Sequence, residues 1–149
     1  MALRASGSIV TSATPREVLE LFLDLERYKQ VDSKIIAVRA VDGPDQNGRG
    51  RVRLWSRLRW TPPAPDVQTF QLERWRRLTF RGAPRQPSRL VFRFTGTAEC
   101  EPTSDGTLVT HAYELTFRGP FRILEPLHRR WLQRDLDDEM ARLADLLNQ

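Results

Sequence analysis

The period of the hydrophobic pattern changes twice along these 149 residues, and the two changes constrain the fold more than any other feature. From Gly106 to Gly119, Val109, His111, Tyr113, Leu115 and Phe117 alternate with Thr110, Glu114, Thr116 and Arg118. A period of two is that of a strand with one buried and one wet face. Arg89 to Cys100 repeats it, with Leu90, Phe92, Phe94, Gly96 and Ala98 on the inner side. In Arg51 to Trp60, Val52, Leu54, Ser56, Leu58 and Trp60 oppose Arg51, Arg53, Trp55, Arg57 and Arg59. Turn signals at Asp42-Gly43-Pro44, Asn47-Gly48, Pro62-Pro63-Ala64-Pro65, Gly82-Ala83-Pro84 and Asp105-Gly106 divide residues 35–118 into a meander of about six strands.

Helical patterns flank this region. Leu3 to Ser12 reads as a first strand, and Thr14-Pro15-Arg16-Glu17 then starts a helix. Threonine caps, proline has no amide hydrogen to lose in the first turn, and glutamate three residues on can bond back. Val18, Leu19, Leu21, Phe22 and Leu25 give that helix an apolar face, and Asp24-Leu25-Glu26-Arg27-Tyr28 begins a second short one. After Gly119-Pro120, an apolar stripe runs through Leu124, His128, Leu132, Leu136, Met140, Leu143 and Leu147, opposite Arg129, Arg130, Arg134, Asp137, Asp138 and Arg142. Proline removes one donor and clashes with the preceding turn, so the long helix is expected over Pro126 to Leu147.

The arrangement resembles the helix-grip fold of the START-like (SRPBCC) superfamily, in its bacterial polyketide cyclase/dehydrase and lipid-transport branch. The resemblance rests on Ser8-Ile9-Val10 leading into Thr14-Pro15-Arg16-Glu17-Val18, on Asp24-Leu25-Glu26-Arg27-Tyr28, on Gly119-Pro120-Phe121 with Leu124-Glu125-Pro126-Leu127, and on the ending Leu143-Ala144-Asp145-Leu146-Leu147. It implies an α+β domain over residues 1–149: a seven-stranded curved antiparallel sheet wrapped around a long C-terminal helix, with two short helices between strands 1 and 2. It also implies an elongated apolar cavity between sheet and helix. The tryptophan that often follows the Leu-x-x-Tyr turn in such proteins is replaced by Lys29-Gln30-Val31-Asp32.

Other chemistries find little support. Cys100 is the only cysteine and there are two histidines, so neither a disulfide, a cysteine-based zinc cluster nor a three-histidine metal site can form within the chain. No stretch reaches the ~18 apolar residues of a membrane span, and the first residues lack a signal-peptide core, so a cytoplasmic protein is expected. Nucleotide-binding glycine loops, a Gly-x-Ser-x-Gly elbow and His-Glu-x-x-His are absent, and no cofactor is expected. Cys100, between Glu99 and Glu101, is read as inert.

The first reading is therefore uptake of a hydrophobic small molecule, such as a lipid, fatty acyl or polyketide-like compound, by a monomer or weak homodimer. The residues expected to line the cavity are Leu54, Leu58, Trp60, Phe70, Leu72, Phe80, Phe92, Phe94, His111, Tyr113, Leu115, His128, Trp131, Leu132, Leu136 and Met140. A second reading is a cyclase or dehydratase in which His111 and Tyr113 serve as acid/base and oxyanion donor, since ring closure needs a base and a group to hold the enolate oxygen. A third concerns charge. The net charge is +5 and all basic residues except Lys29 and Lys34 are arginine. The ladder Arg51, Arg53, Arg57 and Arg59, with Arg89 and Arg93, offers an anionic partner a spacing near that of phosphates, although no basic helix supports nucleic-acid binding. Glu73 and Glu99 are its expected acidic neighbours, and Asp135, Asp137, Asp138 and Glu139 are read as surface partners of helix arginines.

Overall fold

The computed structural model describes residues 2–148. Strand β1 (Leu3–Thr11) is followed by helices α1 (Pro15–Leu23) and α2 (Leu25–Tyr28), then β2 (Ile35–Asp42), β3 (Arg49–Ser56), β4 (Ala64–Glu73), β5 (Arg77–Gly82), β6 (Phe92–Thr103), β7 (Gly106–Phe117) and the long helix α3 (Glu125–Leu147). The strands form one open antiparallel sheet in the order β1-β7-β6-β5-β4-β3-β2, so the first strand pairs with the last and places Gly7 opposite His111. Register shifts in β2 bend that edge of the sheet. This is the expected helix-grip α+β architecture.

Local chemistry accounts for the elements. Thr14 caps α1 by accepting the amide of Glu17, and Asp24 caps α2 through Arg27. In β7 every second residue from Thr107 to Phe117 is buried, as the alternation requires. Along α3, Leu132, Leu136, Met140 and Leu143 are buried where the helix lies against β1 and β7. Each contributes about 1.5–3 kcal/mol by leaving water. Gly7 permits the close approach, because a Cβ there would lie 3.1 Å from the Met140 side chain.

Several boundaries differ from the sequence reading, each for a local reason. Strand β3 stops at Ser56, and Leu58 to Thr61 form a turn in which Trp60 takes φ +66°. Trp60 is consequently 58% exposed rather than directed inward. Strand β6 begins only at Phe92, after a 3-10 turn over Pro87–Leu90 that leaves Leu90 74% exposed. Pro126 occupies the first turn of α3, which starts one residue earlier than expected.

These boundaries dissolve the arginine ladder as one array. Arg51 and Arg53 lie on β3, Arg57 and Arg59 lie beyond its end, Arg89 is in the 3-10 turn, and Arg93 is on β6, with β4 and β5 between it and β3. Glu73 and Glu99 pair with Arg77 instead. The cation over Trp55 is Arg39 of β2, and Trp75 packs against the core beneath Arg16. Among the described residues no helix is long and apolar enough to cross a membrane.

Candidate functional site

A cavity of about 330 Å³ opens on the concave side of the sheet. Its apolar wall comes from α1 and α2 (Phe22, Leu25), from β3 and the turn after it (Leu54, Leu58), from β5 and β6 (Phe80, Phe92, Phe94), from Val91 just after the first 3-10 turn, and from Phe121 and Leu124 of a second 3-10 segment over Gly119–Leu124. Its polar wall residues include Tyr28, Asp32, Lys34, Ser56, Asp66, Gln68, His111 and Tyr113, with Arg57 and Thr61.

Of the sixteen residues expected to line a cavity, Leu54, Leu58, Phe80, Phe92, Phe94, His111 and Tyr113 are in this wall. The remainder are elsewhere. Phe70, Leu72 and Leu115 are consumed by the core, where the Phe70 ring fills the space left by Gly50, whose Cβ would lie 2.1 Å from Phe70 Cζ. Leu132, Leu136 and Met140 face β1 and β7, so α3 supplies no wall residue and the cavity is bounded instead by α1, α2 and the 3-10 segment before α3. His128 is fully buried, with its two ring nitrogens against the carbonyls of Leu124 (2.9 Å) and Arg59 (2.7 Å). Trp131 packs edge-on against it at 5.5 Å.

One side of the cavity rests on an ionic cluster that the sequence reading missed. Lys34, just before β2, places its ammonium 2.8 Å from Asp32, 2.7 Å from Asp135 and 3.3 Å from Glu139, and 4.3 Å from the centre of the Tyr113 ring. All four charged residues are buried. Glu139 accepts hydrogen bonds from the hydroxyls of Tyr28 and Tyr113, the latter at 2.7 and 2.8 Å from its two oxygens. His111 Nδ1 is 2.9 Å from Glu139 Oε2, within ion-pair range but off the line of a good hydrogen bond. Ser33 donates to Asp135.

The electrostatics follow from these contacts. Burial works against the charge of Glu139, but Lys34, His111 and the tyrosine hydroxyls outweigh it and hold the carboxyl well below the ordinary range. Burial likewise opposes the Lys34 charge, and Asp32, Glu139 and Asp135 overcome it, keeping the ammonium protonated. Asp32 is pushed upward by burial and by Glu139. Tyr28 and Tyr113 are raised well above the usual phenol value, chiefly by burial and then by the carboxylates beside them, so both act as donors.

Asp135 and Glu139 thus correct the surface reading of the helix carboxylates. They fall on the same face as Leu132, Leu136 and Leu143, which the three- and four-residue spacing already implied. Asp137 and Asp138 are exposed, and the contact of Asp137 is with Gln133. Asp32, Asp135 and Glu139 bring carboxylate oxygens within 4.8 Å of one another, but the Lys34 ammonium already contacts each of them. Cys100 lies within β6 and burial pushes its thiol up to about 11, so burial rather than its acidic neighbours accounts for the shift.

The sequence profile of the family described as "Polyketide cyclase / dehydrase and lipid transport" matches residues 2–148. Among curated proteins no sequence matches. Solved structures do: the Zhui aromatase/cyclase from Streptomyces sp. R1128 superposes with a TM-score of 0.79 at 12% identity, covering 99% of this chain and 94% of that one. A STAR-related lipid transfer protein from Xanthomonas axonopodis gives 0.73 at 18% identity, covering 97% and 85%. A norcoclaurine synthase from Thalictrum flavum gives 0.62 at 12% identity, covering 99% and 94%. At such identities the likeness is one of fold.

Proposed function

We infer that this chain, which belongs to the polyketide cyclase/dehydrase and lipid transport family, binds a hydrophobic small molecule in the cavity between the sheet, the two short helices and the segment preceding α3. One observation carries the reading: a volume of about 330 Å³, within the range of small-molecule sites, is left open among aromatic and aliphatic side chains. Lipid transfer by one structural neighbour and cyclisation by another are both compatible with such a chamber.

The reading is tested with the neutral dye Nile red. Saturable binding is expected in the wild type. Leu54→Trp fills the wall and should weaken binding by about fivefold to a hundredfold, as a steric conflict of about 1–3 kcal/mol implies. Circular dichroism checks that the variant is folded. Unchanged affinity in a folded Leu54→Trp protein contradicts the assignment.

A second reading, cyclisation or dehydration of a poly-β-keto substrate, draws on His111 and Tyr113, whose rings are 4.5 Å apart in the same wall. Here the Tyr113 hydroxyl is already committed to Glu139, which leaves His111 as the better placed base. His111→Ala should then lower turnover more than binding, whereas a turnover equal to wild type removes His111 from the chemistry.

A further inference from the structure

We propose that Asp66 is the head-group acceptor of the cavity, and that it selects a hydrophobic ligand bearing a hydrogen-bond donor, a protonated amine above all, over one ending in a carboxylate. The proposal rests on the binding reading above and names the ligand class for the same chamber.

Asp66 lies on the inward side of β4, in register with Leu54, and is 92% buried at 8% exposure. Among the described residues no cation pairs with it. Its side chain receives two hydrogen bonds, from the Ser56 hydroxyl (3.2 Å) and the Gln68 amide (2.7 Å), and both go to Oδ2. Among the described residues Oδ1 has no hydrogen-bond partner, and it is not sealed in the protein, because Asp66 forms part of the cavity wall. An ionised carboxylate only accepts, so the free oxygen asks for a donor from the cavity contents.

The other charges in the chamber sharpen the selection. The Lys34 ammonium hydrogen-bonds Asp135 and Glu139 and lies 2.8 Å from Asp32, so three carboxylates of the protein share its charge. That ammonium is balanced within the protein and leaves no net positive charge for a ligand carboxylate. Arg57 borders the cavity but is exposed, so water screens it. A fatty-acid head group would therefore meet Asp66 without a buried cation to balance it, whereas an amine would complete Asp66.

Calorimetric titration of the full-length wild type at pH 7 with decylamine, decanol and decanoate tests this. Decylamine should bind at least about tenfold more tightly than decanoate, with decanol between them, and Asp66→Asn should reduce the amine preference to about threefold or less. Equal affinity for decylamine and decanoate in the wild type overturns the proposal, as does an unchanged preference in a folded Asp66→Asn. If Nile red and all three chains bind alike, the binding reading stands and the role of Asp66 falls. If neither the dye nor any chain binds, both fail. The wild-type series is decisive even where the variant does not fold.

Discussion

Glu139 and Asp66 are both carboxylates buried at one cavity, and their surroundings differ in kind. Glu139 stands behind the wall, fully buried, beside a lysine, a histidine and two tyrosine hydroxyls. Asp66 stands in the wall, three strands away from Tyr113 in the sheet, with two neutral donors on one oxygen and, among the described residues, no hydrogen-bond partner on the other. A buried charge is tolerated when it is paired and fully hydrogen-bonded, and the Glu139 cluster meets that condition internally. It joins α2, the loop between α2 and β2, β7 and α3, so its work is to hold the fold around the chamber. Asp66 meets the condition only halfway, and its remaining valence is directed at whatever enters.

The contrast is broken most severely at Lys34. Lys34→Met leaves three mutually close carboxylates with no ammonium, and a loss of about 3–5 kcal/mol is expected in urea unfolding. A loss below about 1 kcal/mol would show that the cluster is solvated and not structural. The tyrosine hydroxyls should matter less: Tyr28→Phe removes one hydrogen bond to a charged acceptor, at a cost of about 1.5–3 kcal/mol.

The same cluster makes a prediction about pH. Tyr28, Tyr113 and Lys34 all have folded-state pKa values raised above their unfolded ones. Each therefore contributes stability that is complete below the unfolded value, near pH 10, and is lost as pH rises beyond it, because the unfolded chain releases the proton first. Unfolding free energy measured from pH 8 to 11 should begin to fall near pH 9, where the raised Cys100 thiol already contributes, and then fall more steeply above pH 10 with a slope approaching three protons. A flat profile to pH 11 would contradict the buried placement of these groups. The smallest stability effect belongs to Asp66→Asn, which keeps shape and loses no ion pair: about 1 kcal/mol or less is expected in the same assay.

Much of the frame behind this comparison was legible in the chain. The alternation of β7 placed His111 and Tyr113 inward, and Thr14-Pro15 marked the start of α1, because one-face burial and helix capping are local rules. The end of β3 was hidden because a bulky residue, Trp60, adopts a left-handed turn conformation that its side chain does not advertise. Lys34 sits on no periodic element, so nothing local marked it as buried. Asp135 and Glu139 were misread because carboxylates interleaved with arginines usually lie on the solvated side, yet their spacing from Leu132, Leu136 and Leu143 put them on the inner one. Asp66 shares the parity of Phe70 and Leu72 on β4, but it follows the proline-rich turn signal at residues 62–65, where the strand's beginning was obscured.

The division between a closed and an open carboxylate is tested most directly by the crystal structure of the protein with decylamine. The account predicts the alkyl chain among Leu54, Phe80, Phe92 and Phe94 and the amine nitrogen within about 3.2 Å of Asp66 Oδ1, with the Lys34 contacts to Asp32, Asp135 and Glu139 intact. An amine seated on Glu139 in place of Lys34, or an alkyl chain outside the cavity, would contradict it.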